Sequence, residues 1–239
     1  MNSRAASPGI EEMTMLEHLS ELRRRFLKCL AALAVCTGFC WGFIDAIVAF
    51  LTAPAVNLYY MRPAEAFFIY LKVALAAGTL LASPLLCYQL WAFLVPAFTG
   101  QERKMLLPFV VCSTVLFWSG ILFAYYFVFP QGLKFFTTFA GERVAPLLSI
   151  ESYLDFFLML VLPFGFIFNL PLGMIVLAML GLTDSEQLRR GRRYMILASF
   201  ILAGIITPTP DVVTQTLLAV PMIVLYESSR LFIRYVLKR

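Results

Sequence analysis

The chain has 239 residues, of which 61% are hydrophobic and 14% charged, and its formal net charge is +5. Soluble domains contain about 45–50% apolar residues, and a soluble fold of this length could not bury so much apolar surface. The composition therefore predicts an integral membrane protein and excludes an ordinary soluble domain. We interpret the positive charge through its position along the chain and not as a sign of nucleic-acid binding.

The first distinctive segment is TMLEHLSELRRRF, at residues 14–26, which sets acidic residues into a basic membrane edge. Glu17 completes a capping box with Thr14, which accounts for it structurally. Glu21 has the i,i+4 spacing for an ion pair with Arg25. The spacing alone favours these structural roles for both glutamates.

Apolar runs long enough to span a bilayer, or nearly so, follow this segment. They predict six transmembrane helices, near residues 26–48, 73–95, 105–129, 156–180, 194–207 and 212–226. The last two predicted spans have only fourteen and fifteen residues. Short spans thin the bilayer or are sheltered by a partner, so this end of the chain is a candidate for partner docking.

Four prolines within the spans predict curved helices in place of a straight bundle: Pro84, Pro163, Pro171 and Pro221. The loops near residues 49–70 and 130–152 are longer than those on the other side. We expect these two loops to form a partly ordered cap.

The distribution of Lys and Arg predicts the orientation, because cytoplasmic loops are enriched in these residues. With a cytoplasmic N-terminus, fifteen of them lie inside: Arg4, Arg23, Arg24, Arg25, Lys28, Arg103, Lys104, Arg189, Arg190, Arg192, Arg193, Arg230, Arg234, Lys238 and Arg239. Four lie outside: Arg62, Lys72, Lys134 and Arg143. The sequence thus predicts an all-α integral membrane protein, a single polytopic domain over residues 1–239, with both termini in the cytoplasm.

The sequence lacks the usual catalytic and cofactor motifs. One histidine and no CxxC pair exclude the common zinc sites, and there is no GxSxG elbow or phosphate-binding GxxxxGK loop. We therefore expect neither an enzyme nor a bound cofactor or metal. A small six-span secondary transporter is the alternative, although the middle of the spans contains almost no charge.

Several motifs together resemble the TatC family of twin-arginine translocase subunits. They are EHLSELRRR (17–25), SPLLCYQLWAFLVPAFTGQERK (83–104), FAYYFVFP (123–130) and TPDVVTQTLLAVPM (209–222) with LYE at 225–227. The resemblance implies a curved, concave six-helix fold in the plasma (inner) membrane. It also implies a receptor that binds the twin-arginine signal peptides of folded cargo proteins and works with single-span TatA and TatB partners. The proton-motive force drives export in this family, and self-association and lipid contact are expected.

The resemblance also implies roles for individual residues. Glu21 and Glu102 match the family's cytoplasmic acceptors for the signal peptide, and Phe93 and Gln89 match positions near them. His18 and Arg23 belong to the same motif, with solvation of the membrane edge as the open alternative. For Glu102, a capping box with Thr99 is the competing structural interpretation.

Three further positions match family motifs within the spans. Asn169 stands where many family members have glutamate, and it can hydrogen-bond but cannot titrate, so a role in helix–helix bonding is the alternative to a functional one. Asp211 and Gln215 match a motif at the outer ends of the last two spans. Asp211 directly precedes the sixth span and is expected to cap that helix.

Overall fold

A computed structural model describes residues 15–54, 58–59, 61–62, 64–94, 106–139, 148–207 and 211–237, without the side chains of residues 15–18, 94, 136–139 and 148. Its α-helices are α1 (Met15–Trp41), α2 (Ile44–Thr52), α3 (Glu65–Leu94), α4 (Leu106–Phe123), α5 (Phe129–Phe139), α6 (Ile150–Ile167), α7 (Leu170–Met179), α8 (Ser185–Ile206) and α9 (Val212–Phe232). A π-helical turn, Ala124–Val128, joins α4 to α5, and a second, Ile233–Leu237, extends α9.

Capping residues define where several helices begin and end. The side chains of Ser149, Asp184 and Asp211 accept hydrogen bonds from backbone N–H groups in the first turns of α6, α8 and α9. The expectation that Asp211 caps the last helix is therefore confirmed. Gly181 follows α7 with φ 74°, a left-handed conformation that favours glycine and reverses the chain toward α8.

Each of the six predicted spans falls mainly in helix among the described residues. Four described segments are long and apolar enough to cross a bilayer: Glu65–Phe93, Leu106–Phe135, Ile150–Met179 and Val212–Leu237. The pair α1 and α2 is a candidate fifth span that is bent by 79°. The predicted span 194–207 corresponds to the second half of α8 and its C-cap residue. The first half of α8 is charged.

Two expectations about the spans need correction. The first span was predicted to be continuous over residues 26–48, but the chain turns at Gly42 and Phe43 between α1 and α2. The last two helices have 22 and 21 residues, not fourteen and fifteen. Good helix formers such as Arg, Glu and Gln continue the helix beyond each apolar run, so the apolar length is short but the helix is not.

The main core lies where α2, α3, α4, α6 and α9 meet, with Phe164 fully buried in it. Glycines let the helices approach closely, as is common between membrane helices. A Cβ at Gly120 would lie 2.3 Å from the carbonyl oxygen of Phe164, and one at Gly78 would lie 2.4 Å from the Thr37 hydroxyl. The second contact fixes α1 against α3, and this packing positions the candidate site.

The two long loops meet as expected. Strands β1 (Leu58–Tyr59) and β2 (Leu148–Ser149) form a short parallel ribbon in which Leu58 pairs with Leu148 and Tyr59 with Ser149. This pairing confirms a partly ordered cap at that end of the helices.

Candidate functional site

Glu21 lies on α1 and is held by an arginine one turn later. Arg25 donates from Nε at 2.9 Å and from Nη2 at 2.5 Å to the same carboxylate oxygen, Oε1 of Glu21. The predicted i,i+4 pair is therefore present. The second oxygen, Oε2, is buried and accepts no hydrogen bond from the described residues. Half of this carboxylate is thus satisfied and half is not.

Gln89 brings α3 into this site. Its Oε1 accepts a hydrogen bond from Nη1 of Arg25 at 3.3 Å, and its side chain is buried. Phe93 follows one turn later on the same face of α3 and is half-buried. Two of the residues assigned to the signal-peptide site by family resemblance, Glu21 and Gln89, therefore contact the same guanidinium, although 68 positions separate them in the chain.

The other predicted members of the site are less fully described. Arg23 is exposed and lines an open groove on α1 together with Arg24 and Lys28. His18 lies in the first turns of α1, but its side chain is outside the described part of the structure, and Glu102 lies entirely outside it. The roles of these three residues remain predictions.

Asn169 occupies the break between α6 and α7 and bonds to a neighbouring helix. Its Oδ1 accepts a hydrogen bond from the Ser113 hydroxyl of α4 at 2.7 Å, and its Nδ2 donates to the Gly165 carbonyl at 3.0 Å. Ser113 also lies 3.4 Å from the sulfur of Cys87 in α3. Asn169 therefore joins helices here, while any functional role stays a prediction.

Gln215 and Asp211 lie at the other end of the molecule from Glu21. Nε2 of Gln215 donates to the Phe200 carbonyl at 2.7 Å and joins α9 to α8. Asp211 accepts from the Thr214 backbone N–H at 2.8 Å and also from the Thr214 hydroxyl. Both side chains thus stabilise the start of α9.

Sequence reasoning missed a buried carboxylate in the cap. Glu65 is 3% exposed, and its Oε1 accepts from the Ser149 hydroxyl at 2.5 Å and the Glu151 N–H at 3.1 Å. Its Oε2 accepts from the Met61 and Arg62 N–H groups at 2.7 and 3.0 Å. Nothing in the sequence around Glu65 indicated these partners, because two of them come from a loop more than 80 residues away.

The family model described as "Sec-independent protein translocase protein (TatC)" matches residues 17–221. The chain belongs to the TatC family. It is 36% identical over 236 residues to the "Sec-independent protein translocase protein TatC" of Koribacter versatilis, covering 95% of this chain and 87% of that protein. It is 40% identical over 221 residues to the TatC of Synechocystis sp., covering 92% and 87%.

The fold agrees with a solved structure of the TatC family. The "Crystal Structure of Twin Arginine Translocase Receptor- TatC" superimposes with a TM-score of 0.83 at 37% identity, covering 93% of this chain and all of that one. The predicted all-α membrane fold and the TatC resemblance are confirmed. These matches give no support to the alternative of a secondary transporter.

Proposed function

We propose that this TatC-family chain is the signal-peptide receptor of a twin-arginine protein translocase, binding the peptide's paired arginines at Glu21 and Glu102. The observation that supports the proposal is Oε2 of Glu21, a buried carboxylate oxygen to which none of the described residues donates. A buried acceptor left unsatisfied costs about 1–3 kcal/mol. A guanidinium from a ligand would recover that cost.

Arginine is a suitable ligand for the buried carboxylate of Glu21. Its planar fork of N–H donors pairs with carboxylates through strong charge-assisted bonds. Arg25 already shows the interaction from within the chain, since its guanidinium joins Glu21 to Gln89. A ligand arginine would either take the vacant Oε2 or displace Arg25, and Gln89 and Phe93 would line its approach.

The proposed setting follows from the charge distribution and the family. With fifteen Lys and Arg on one side and four on the other, both termini lie in the cytoplasm and the chain forms one polytopic domain of the inner membrane. TatA- and TatB-type single-span proteins are the proposed partners, with export driven by the proton-motive force. The protein acts as a receptor and has no catalytic role of its own.

Residues 194–226 are the proposed docking edge for a partner's transmembrane helix. Leu197, Ile201 and Ile205 share one face of α8 and are 59%, 53% and 71% exposed. Photocrosslinkers placed at residues 197–206 should capture TatA or TatB in membranes. Capture only from α1 and α3 would place the docking edge elsewhere.

Crosslinking of a twin-arginine peptide to the protein in membranes tests the receptor role. We expect Glu21→Gln and Glu102→Gln each to weaken peptide binding roughly tenfold to a hundredfold, because a hydrogen bond to a charged group contributes about 1.5–3 kcal/mol and about 1.4 kcal/mol is tenfold. High salt should weaken binding to the unmodified protein.

Glu17→Gln is the matched control, since it removes the same charge one turn earlier on α1 and should leave peptide binding unchanged. A peptide with two lysines in place of its arginines should bind weakly to every variant. If the Glu21→Gln/Glu102→Gln double variant binds the twin-arginine peptide as well as the unmodified protein does, the assignment of these residues fails.

A further inference from the structure

Six arginines gather at one end of the last two helices, at the opposite end of α9 from Asp211. Arg189, Arg190, Arg192 and Arg193 lie in the first half of α8, and Arg230 and Arg234 lie at the end of α9 and in the π-helical turn after it. We call this surface the basic end. Its two parts are packed together, because buried Ile233 and Tyr226 contact Leu188 and the Tyr226 hydroxyl donates to the Leu188 carbonyl at 2.6 Å.

Four of the six arginines are matched by carboxylates. Glu186 pairs with Arg189 at 2.8 Å and with Arg190 at 3.4 Å, and the hydrogen bond from Arg189 lowers the pKa of Glu186. Glu227 pairs with Arg192 at 2.8 Å and with Arg230 at 2.9 Å. Asp184, a third carboxylate among the described residues here, caps α8.

The other two arginines, Arg193 and Arg234, pair with no carboxylate in the described part of the chain. Each lies instead over the ring of the tyrosine that follows it, with its guanidinium carbon 4.7 Å from the ring centre in Arg193–Tyr194 and 5.6 Å in Arg234–Tyr235. The two tyrosines are 63% and 68% exposed. A guanidinium held against a ring keeps most of its N–H donors available at its edge.

The polarity along α8 indicates that Arg190 and Arg193, next to Tyr194, lie at the level of the lipid headgroups. One face of the helix presents Arg190, then Tyr194, then the exposed aliphatic residues Leu197, Ile201 and Ile205. Cation, aromatic ring and aliphatic surface thus succeed one another over about 22 Å at about 1.5 Å per residue. This order matches the headgroup, interface and hydrocarbon layers of one leaflet.

We propose that the basic end is a binding site for anionic phospholipid headgroups, with Arg193 and Arg234 as its principal contacts. Arginine binds phosphate through paired N–H donors, and clusters of basic residues beside a transmembrane helix attract anionic lipids. The site lies above the aliphatic face of α8 and leaves that face open to a partner helix. The proposal does not depend on signal-peptide binding.

Native mass spectrometry of the purified protein, titrated with phosphatidylglycerol or phosphatidylcholine, tests this site without partner or peptide. The unmodified protein should retain phosphatidylglycerol in preference to phosphatidylcholine. Arg193→Gln/Arg234→Gln should bind phosphatidylglycerol about 30-fold more weakly, because each basic residue near a lipid surface contributes about fivefold. Arg193→Lys/Arg234→Lys should lose only part of the affinity, since the charge remains but the planar fork is gone.

The matched control is Arg189→Gln/Arg190→Gln, which removes the same charge from the same end but takes arginines that are already paired with Glu186. It should keep most of the lipid preference. Equal losses of lipid affinity in the two double variants would show a diffuse charge effect and overturn the proposed site. Displacement of the lipid by inorganic phosphate at millimolar concentration would also overturn it.

Discussion

Glu21 and Glu65 are both carboxylates placed where helices pack, yet their oxygens are satisfied very differently. Glu65 accepts four hydrogen bonds, two from residues 61–62 and two from residues 149–151. From the described residues Glu21 accepts two, both on one oxygen and both from Arg25 on its own helix. A carboxylate whose lone pairs are all used by its own chain has no capacity for a ligand, whereas a half-used one does.

The surroundings of the two carboxylates differ in the same sense. The donors to Glu65 are backbone N–H groups and a hydroxyl, which cannot leave without undoing the cap formed by β1 and β2. The donor to Glu21 is a long side chain that can move to Gln89 or to solvent. The donors to Glu65 are therefore fixed by the fold, whereas the donor to Glu21 can be replaced by a ligand arginine, as the proposed receptor role requires.

The largest expected effect is on the stability of the cap formed by β1 and β2. Glu65 uses both carboxylate oxygens as acceptors, whereas Gln has one acceptor oxygen, so in Glu65→Gln two buried N–H or O–H groups lose their acceptor. We expect the free energy of unfolding to fall by about 2–6 kcal/mol, at about 1–3 kcal/mol for each unsatisfied group. Thermal unfolding in detergent measures the change.

Glu151→Gln is the matched control for Glu65→Gln, because Glu151 is 40% exposed and lies 3.5 Å from Lys72 in a surface ion pair. It should unfold within a degree or two of the unmodified protein. If Glu65→Gln is as stable as this control, the hydrogen bonds at Glu65 do not hold the cap together.

Glu21→Gln should show the opposite pattern. Its pair with Arg25 joins adjacent turns of α1, and i,i+4 pairs contribute about 0.3–0.5 kcal/mol, so the unfolding temperature should change little. Peptide crosslinking should nevertheless fall tenfold or more, as proposed above. A Glu21→Gln protein that unfolds at a lower temperature and binds the peptide normally would show that Glu21 has a structural role and no binding role.

Asn169 is an intermediate case, satisfied on both its oxygen and its nitrogen but inside the membrane. Asn169→Leu removes the hydrogen bond from Ser113 and should cost about 0.6–2 kcal/mol, the range measured for such bonds between membrane helices. Asn169→Gln should keep most of the stability and of cargo export. Normal unfolding and export by Asn169→Leu would show that the polarity of this position is unimportant.

The smallest effect is expected at the exposed pair Lys72 and Asp155. Nζ of Lys72 lies 2.8 Å from both oxygens of Asp155, but the side chains are 43% and 44% exposed. Lys72→Met should lower stability by no more than about 1 kcal/mol, and less at high salt. Lys72→Arg should be indistinguishable from the unmodified protein in the same unfolding assay. A large loss in Lys72→Met would mean that this pair, and not Glu65 alone, fixes the cap.

The sequence by itself determined the membrane class, the six apolar segments, the N-cap residue of α9 and the ion pair between Glu21 and Arg25. Each of these depends on composition or on neighbours within one helical turn, and such local terms are legible in a single sequence. The resemblance to the TatC family added Glu21, Gln89 and Phe93 as proposed site residues, and their roles stay predictions.

Only the tertiary structure decided what each polar side chain contacts across the fold. The link from Arg25 to Gln89, the bond from Ser113 to Asn169 and the bonds from Ser149 and Glu151 to Glu65 join residues that are 56 to 86 positions apart. Such contacts depend on how closely helices approach, as at Gly78 against Thr37, and no local pattern encodes that distance.

The bend between α1 and α2 and the full length of α8 were missed for a related reason. Hydropathy reports where the chain is apolar, whereas the backbone hydrogen bonds that begin, break and end a helix follow caps, turns and packing.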